Sequence, residues 1–107
     1  MSLLRYHEAA EEELLNEIGY LELQAKELGR RFFAEIRRAE HFIIGFPEAA
    51  EEIRPGVRRR ILHQFRYSLI YSIEKESVLI LAMAHHSRRP GYWVGRAFDG
   101  EIEKGRA

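Results

Sequence analysis

The segment from Phe65 to Ala84, FRYSLIYSIEKESVLILAMA, decides the fold of this chain of 107 residues. In residues 65–74, apolar side chains alternate with mostly polar ones, which is the pattern of a strand that is half buried. The polar residues 74–76 predict a tight turn, and residues 78–84 are then almost entirely apolar. An apolar run of that length is typical of a central strand covered on both faces. The segment therefore predicts two adjacent strands of one sheet.

Before this segment, the spacing of apolar residues predicts a short strand followed by two helices. Residues 3–6 are apolar enough for the strand. Apolar positions then recur every three or four residues from Ala10 to Leu28, and again from Phe32 to Ile43, as on the buried face of a helix. The second helix is expected to end at Gly45. The short break between the two helices predicts an antiparallel hairpin.

The sequence predicts a structural role for each of two glycines in the helical hairpin. Gly29 follows the first apolar stripe and is expected to be its left-handed cap. Gly19 lies inside the first helix, where it costs about 1 kcal/mol relative to alanine, and we expect it to mark a close packing contact.

One more strand is predicted between the helices and the decisive segment. Residues 54–57, RPGV, form a turn sequence in which proline fixes one position and glycine supplies a positive φ at the next. Residues 57–62 should then form a strand with Val57 and Ile61 facing the core and Arg58 and Arg60 facing outward.

These elements together predict an α+β fold. The order is a strand, a helical hairpin and a three-stranded antiparallel meander, which would form one small sheet with both helices packed on one face. Residues 1–98 are expected to form a single domain, and residues 99–107, with two glycines, a flexible C-terminal tail.

Composition excludes several classes of function. The chain has no cysteine, which removes disulfides, zinc–thiolate sites and cysteine nucleophiles. No HExxH spacing, GxSxG turn or glycine-rich phosphate loop occurs, so we expect neither a metal nor another cofactor. No apolar run is long enough to span a bilayer, and the N-terminus lacks the apolar core of a signal peptide. A cytoplasmic location is therefore expected, without membrane association.

The formal net charge of zero hides a strong asymmetry along the chain. Residues 1–28 carry seven acidic side chains against two basic ones, whereas residues 54–96 carry nine basic side chains against two acidic ones. Most of the bases are arginine, whose planar fork suits carboxylates and phosphates. The second half of the chain could thus bind an acidic partner or a phosphate backbone, or its arginines could form a solvated face.

The densest group of polar residues is His85-His86-Ser87-Arg88-Arg89-Pro90-Gly91-Tyr92-Trp93, directly after the apolar strand. Ribonucleolytic cleavage needs a base, an acid and cations for the charge on phosphorus, and this segment contains all three kinds of group. Its two aromatic residues could stack an unpaired base. The alternative, which we favour, is that the aromatic rings pack on the sheet while the arginine pair binds a partner.

Five blocks, in order, resemble the ParE branch of the RelE/ParE toxin superfamily. They are ELGRRFF (27–33), FPEA (46–49), IRPGVRR (53–59), YSLIY (67–71) and HHSRRP (85–90). The fold of that family has the element order predicted above. The block after the second helix often ends in glycine in the family, whereas Ala50 stands here.

The resemblance implies the toxin of a type II toxin–antitoxin pair, which a cognate antitoxin neutralises by binding along the hairpin and the sheet. ParE-like members resemble DNA gyrase inhibitors, whereas RelE-like members cut mRNA on the ribosome. That ribonuclease branch places an arginine where this chain has Ser68, and its tyrosine does not fall at the spacing of Tyr92. The formal net charge of zero also disfavours binding to the ribosome. Gyrase inhibition is therefore the favoured hypothesis.

Two alternatives stay open at this stage. A RelE-like enzyme would use His85, Arg88 and Tyr92 as its catalytic residues, and a degenerate toxin would bind its antitoxin without harming the cell. For contacts with a target or an antitoxin, the candidate residues are Arg58, Arg60, Arg66, Arg88, Arg89 and Trp93.

Overall fold

Two helices and five strands make up the part of the chain that the computed structural model describes, residues 3–97. The elements are β1 (Leu3–Tyr6), α1 (Glu8–Gln24), α2 (Leu28–Gly45), β2 (Glu51–Arg54), β3 (Val57–Ile61), β4 (Tyr67–Ile73) and β5 (Ser77–His85). The strands form one sheet in the order β1-β5-β4-β3-β2, in which β1 runs parallel to β5 and the other neighbours are antiparallel. The predicted α+β class is confirmed. The predicted tail, residues 99–107, lies outside the described residues.

The sheet has one strand more than the sequence predicted. Strand β2 is mostly charged and exposed, so it lacks the apolar alternation by which a strand is recognised. Pairing with β3 holds it, helped by an ion pair between Arg59 and Glu51 at 2.9 Å. The predicted turn at residues 54–57 joins these two strands, and Gly56 there has φ of +76°.

The turn between the helices is built differently from the prediction. The left-handed residue is Glu27, with φ of 67°, whereas Gly29 lies inside α2. The carboxylate of Glu22 accepts the backbone N–H groups of Glu27, Gly29 and Arg30 at 3.0, 2.8 and 3.3 Å. These bonds lower the pKa of Glu22, and the bond from Glu27 is the largest cause. A side chain of α1 thus caps the start of α2.

Gly29, not Gly19, is the close contact between the helices. A Cβ atom on Gly29 would lie 2.5 Å from the carbonyl oxygen of Ile18 and 2.9 Å from a carboxylate oxygen of Glu22. A Cβ atom on Gly19 would meet nothing within 4 Å, so the expectation for that residue was wrong. The hairpin can close this tightly only because position 29 has no side chain.

Both faces of the sheet are covered, and each has its own core. On one face, the apolar stripes of α1 and α2, including Phe32, Ile36 and Ile43, pack on Leu69, Tyr71, Val78, Ile80 and Met83. On the other face, Trp93 and the residues after β5 pack on Val57, Ile70, Leu79, Leu81 and Ala82. Strand β4 was predicted to be half buried, but Ser68 and Ile70 are only 2% and 3% exposed because this segment lies over them. Ile61 was predicted to face the core and is 47% exposed.

A β-bulge in β5 changes which way its second half faces. Ile70 pairs with Ala82 and Tyr71 with Ile80, so Leu81 is an extra residue on β5. Val78, Ile80 and then Met83 belong to the core on the helix side, which shows that the alternation slips by one residue at Leu81. The slip determines where the residues at the end of β5 point.

Neither helix in residues 3–97 combines the length and the hydropathy that crossing a bilayer requires.

The two helical glycines give opposite expectations for stability. We expect Gly29→Ala to lower the free energy of unfolding by about 1–3 kcal/mol, because its methyl group would strike the backbone of α1. Gly19→Ala should raise it by about 0.5–1 kcal/mol, because the site is open and alanine favours helix. Urea unfolding of both variants measures the difference. Equal effects would contradict the close contact at Gly29.

Candidate functional site

A cleft with a volume of about 170 Å³ lies on the sheet face opposite the helices, beside the segment that follows β5. Its polar residues are Arg59, Ser68, His85, His86, Arg88 and Arg89. Apolar surface comes mainly from Ile53, Ile70, Ala84 and Trp93. None of the residues that line it is acidic. We call this site the arginine cleft.

The two histidines of the segment are held differently. The imidazole of His85 packs edge-on against the ring of Tyr67, with centroids 4.8 Å apart, and its Nδ1 lies 2.6 Å from the hydroxyl of Ser87. The Nε2 of His86 lies 3.0 Å from the hydroxyl of Ser68. Tyr67 and Ser68 are neighbours on β4 and point to opposite faces. The bulge at Leu81 therefore leaves His86, rather than His85, as the imidazole bonded to the polar wall of the cleft.

The segment after β5 is anchored to α1 by Glu13. Both carboxylate oxygens of Glu13 accept bonds from the guanidinium of Arg96 at 2.9 Å, and one also accepts the hydroxyl of Tyr92 at 2.9 Å. The backbone N–H of Met83 donates to Glu13 at 3.2 Å, and Arg96 donates to the carbonyl of Leu81 at 3.1 Å. We call Glu13, Tyr92 and Arg96 the carboxylate anchor.

The anchor lies where the sheet would otherwise expose an unpaired edge. Strand β1 pairs with β5 only from Ser77 to Ile80, so the later residues of β5 have no neighbouring strand on that side. Glu13 and Arg96 bond the backbone groups of Met83 and Leu81 in its place. Buried backbone groups need such partners, and here two charged side chains supply them.

Tyr92 is a poor proton donor in this setting. Burial raises the pKa of Tyr92 to about 12, and the negative charge and hydrogen bond of Glu13 add to the effect. The guanidinium of Arg88 lies over its ring, 4.0 Å from the centroid. Although His85, Arg88 and Tyr92 all border the cleft, the ring of His85 and the hydroxyl of Tyr92 are committed to other contacts.

The other residues suggested for target or antitoxin contacts are dispersed. Arg58 and Arg60 were expected to face outward, but they lie on the helix side of the sheet. Arg58 donates to the carbonyl groups of Glu48 and Ala50, and Arg60 lies 3.8 Å from the ring centroid of Phe42. Both therefore support the fold.

The remaining members of that set divide between surface and core. Arg66 is exposed in the loop before β4, and Arg88 and Arg89 are exposed at the cleft. Trp93 is only 5% exposed and packs on the sheet, which leaves little of its ring for stacking on a ligand.

Sequence reasoning did not select Arg59 or Glu13. Arg59 faces the cleft because it alternates with Arg58 and Arg60 on β3, and its pairing with the buried Ile70 could have revealed this. Glu13 looked like one more acidic residue in the first turns of α1. Nothing in the sequence shows that its partner lies more than 80 positions later, since that pairing depends on the tertiary fold.

A strand, a helical hairpin and an antiparallel meander, with an arginine-rich cleft on the sheet face opposite the helices, define a small α+β protein without a metal-binding cluster in residues 3–97. The sequence model of the family described as the ParE toxin of the type II toxin–antitoxin system parDE matches residues 4–90 of this chain. The chain therefore belongs to the ParE toxin family.

A solved structure has the same fold. It is described as a chromosomal ParDE toxin–antitoxin system from P. aeruginosa, and the match has a TM-score of 0.68 at 17% sequence identity. The match covers 79% of this chain and 96% of that chain. A search of curated protein sequences gave no match.

The carboxylate anchor can be tested by replacing its acid. We expect Glu13→Gln to lower the free energy of unfolding by about 2 kcal/mol, because it leaves Arg96 half buried without a countercharge. Glu12→Gln, at the exposed neighbouring position, should change it by less than about 0.5 kcal/mol. Urea unfolding provides the comparison. A Glu13→Gln variant as stable as the control would show that the anchor adds nothing to stability.

The raised pKa of Tyr92 predicts a loss of stability at alkaline pH. Tyrosine ionises near pH 10 in the unfolded chain and near pH 12 in the folded one, so this contribution is complete below about pH 10 and is lost as pH rises to about 12. The free energy of unfolding should therefore fall less steeply over that range in Tyr92→Phe. Tyr20→Phe, at a site 56% exposed, serves as the control. Coincident slopes for the wild type and Tyr92→Phe would contradict the assignment.

Proposed function

We propose that this ParE-type toxin inhibits DNA gyrase and that a cognate antitoxin neutralises it by binding. The observation that carries the proposal is the match of the ParE family over residues 4–90, which covers both helices and, except for Leu3, all five strands. Gyrase inhibition is the activity that the resemblance of this chain to the ParE branch implies.

The geometry of the arginine cleft favours a binding role over RNA cleavage. A ribonuclease needs a proton donor and a proton acceptor that converge on one phosphate. Here the hydroxyl of Tyr92 donates to Glu13, the ring of His85 packs on Tyr67, and Ser68 stands where the ribonuclease branch has a cation. These contacts leave that site without its acid and one of its charges.

The helical hairpin offers an apolar surface for the antitoxin. Tyr20 and Leu23 are 56% and 86% exposed, and they lie three positions apart on α1, so they share one side of the helix. An amphipathic antitoxin segment could cover them with its apolar side, while its acidic groups approach the arginines of the second half of the chain.

The proposal predicts that the purified full chain, at micromolar concentration, blocks supercoiling of relaxed plasmid by gyrase. Adding the small protein encoded by the neighbouring reading frame should restore supercoiling. Leu23→Ala should leave the inhibition intact but weaken this rescue, because the side chain is exposed and contributes little to folding. Ile61→Ala, which removes an exposed aliphatic side chain at the end of β3, away from α1, is the matched control.

Three results would count against the proposal. Unaffected supercoiling at micromolar toxin would exclude gyrase as the target. Cleaved mRNA in a translating extract, lost in Arg88→Ala, would establish the ribonuclease instead. Normal cell growth on induction, with antitoxin binding retained, would identify a degenerate toxin.

A further inference from the structure

The arginine cleft contains a feature that neither the fold nor the proposed gyrase activity explains. The Nε atom of Arg59 is the one buried side-chain nitrogen or oxygen in residues 3–97 that has no hydrogen-bond partner. Buried polar atoms are normally paired, so a donor without a partner is unusual. The Nε atom itself is closed off, but the Arg59 side chain is part of the wall of the cleft.

The charged side chains that line the cleft all have the same sign. Arg59, Arg88 and Arg89 line the cleft, and no acidic side chain does. Arg59 has one carboxylate partner, Glu51, whose side chain is 62% exposed. Within residues 3–97 no carboxylate pairs with Arg88 or Arg89, so their charges are available to an anion.

Neutral donors and fixed geometry complete the polar wall. The hydroxyl of Ser68 belongs to a residue only 2% exposed, and its bond to His86 fixes both groups at the cleft. Stacking of Arg88 on Tyr92 holds that guanidinium in place, because the carboxylate anchor fixes the ring in turn. Ser68 and Arg88 are therefore positioned before a ligand arrives, which reduces the entropy lost on binding.

We propose that the arginine cleft binds a phosphate monoester. The three guanidinium groups of Arg59, Arg88 and Arg89 match a dianion with three acceptor oxygens better than they match a single carboxylate. The volume of about 170 Å³ is below the usual range for whole drug-sized ligands, so the cleft holds the phosphate and the group next to it. That group would lie on the apolar surface of Ile53, Ile70 and Ala84.

This binding is separate from gyrase inhibition, and its test does not involve gyrase. The full chain is titrated by calorimetry, at constant ionic strength, with inorganic phosphate, adenosine 5′-monophosphate and adenosine. We expect saturable binding of the two phosphates and none of adenosine. Tighter binding of the nucleotide would support a monoester as the ligand, whereas equal affinities would contradict the monoester and leave free phosphate as the ligand.

Matched variants locate the site. Arg89→Gln should weaken phosphate binding at least tenfold, and Arg59→Gln should do the same while melting cooperatively. Because Arg89 is exposed, its variant keeps the test valid if Arg59→Gln fails to fold. Arg30→Gln removes the same charge from an 81% exposed side chain on α2 and should bind like the wild type. The proposal is overturned if no phosphate binds at millimolar concentration, if adenosine binds alone, or if Arg30→Gln weakens binding as much as Arg89→Gln.

Discussion

Strand β5 is apolar from Val78 to Met83 and has no exposed face, and this constraint determines what the rest of the chain must supply. Its side chains cannot face water on either side, so one cover is needed above the sheet and another below it. The helical hairpin supplies the first and the segment around Trp93 the second. The arginine cleft exists because this second cover is too small to fill the face that it protects.

The same strand also needs partners along its edges. Strand β4 pairs with β5 from Val78 to His85, interrupted only by the bulge at Leu81. On the other edge, β1 is four residues long and covers only the first half of β5. The carboxylate anchor takes over where β1 ends, so two charged side chains continue a ladder that the backbone leaves incomplete. Because β1 is short, the carboxylate anchor takes its place and joins α1, β5 and the segment after β5 in one contact.

The sequence predicted the elements whose burial repeats regularly, and it failed where tertiary contacts replace local pattern. The helical stripes and the buried run of β5 were recognised because burial imposes a period on them. Strand β2 was not predicted, because its residues are mostly charged and only its pairing with β3 holds it in the sheet. The outward direction assigned to Arg58 and Arg60 was wrong, because arginine can lie under a helix when carbonyl groups or an aromatic ring accept its charge.

The site was predictable in composition but not in arrangement. The segment from His85 to Trp93 does border the cleft, as a polar cluster after a buried strand suggests. The separation of the two histidines was not visible, because the bulge at Leu81 depends on pairing with β4 rather than on any turn residue. Likewise, the burial of the Arg59 Nε atom without a partner could not be predicted, because no spacing along the chain encodes it.

The two charged side chains at the end of the β5 edge affect the self-association of this protein. An open strand edge is a template on which a second chain can add, and it is a common start of aggregation. Glu13 and Arg96 occupy the backbone groups of Met83 and Leu81 on this edge, so those groups are not free to pair with a neighbour. Strand β2, at one margin of the sheet, presents Glu51, Glu52 and Arg54 instead of apolar side chains. Both features oppose sheet-to-sheet self-association at high concentration.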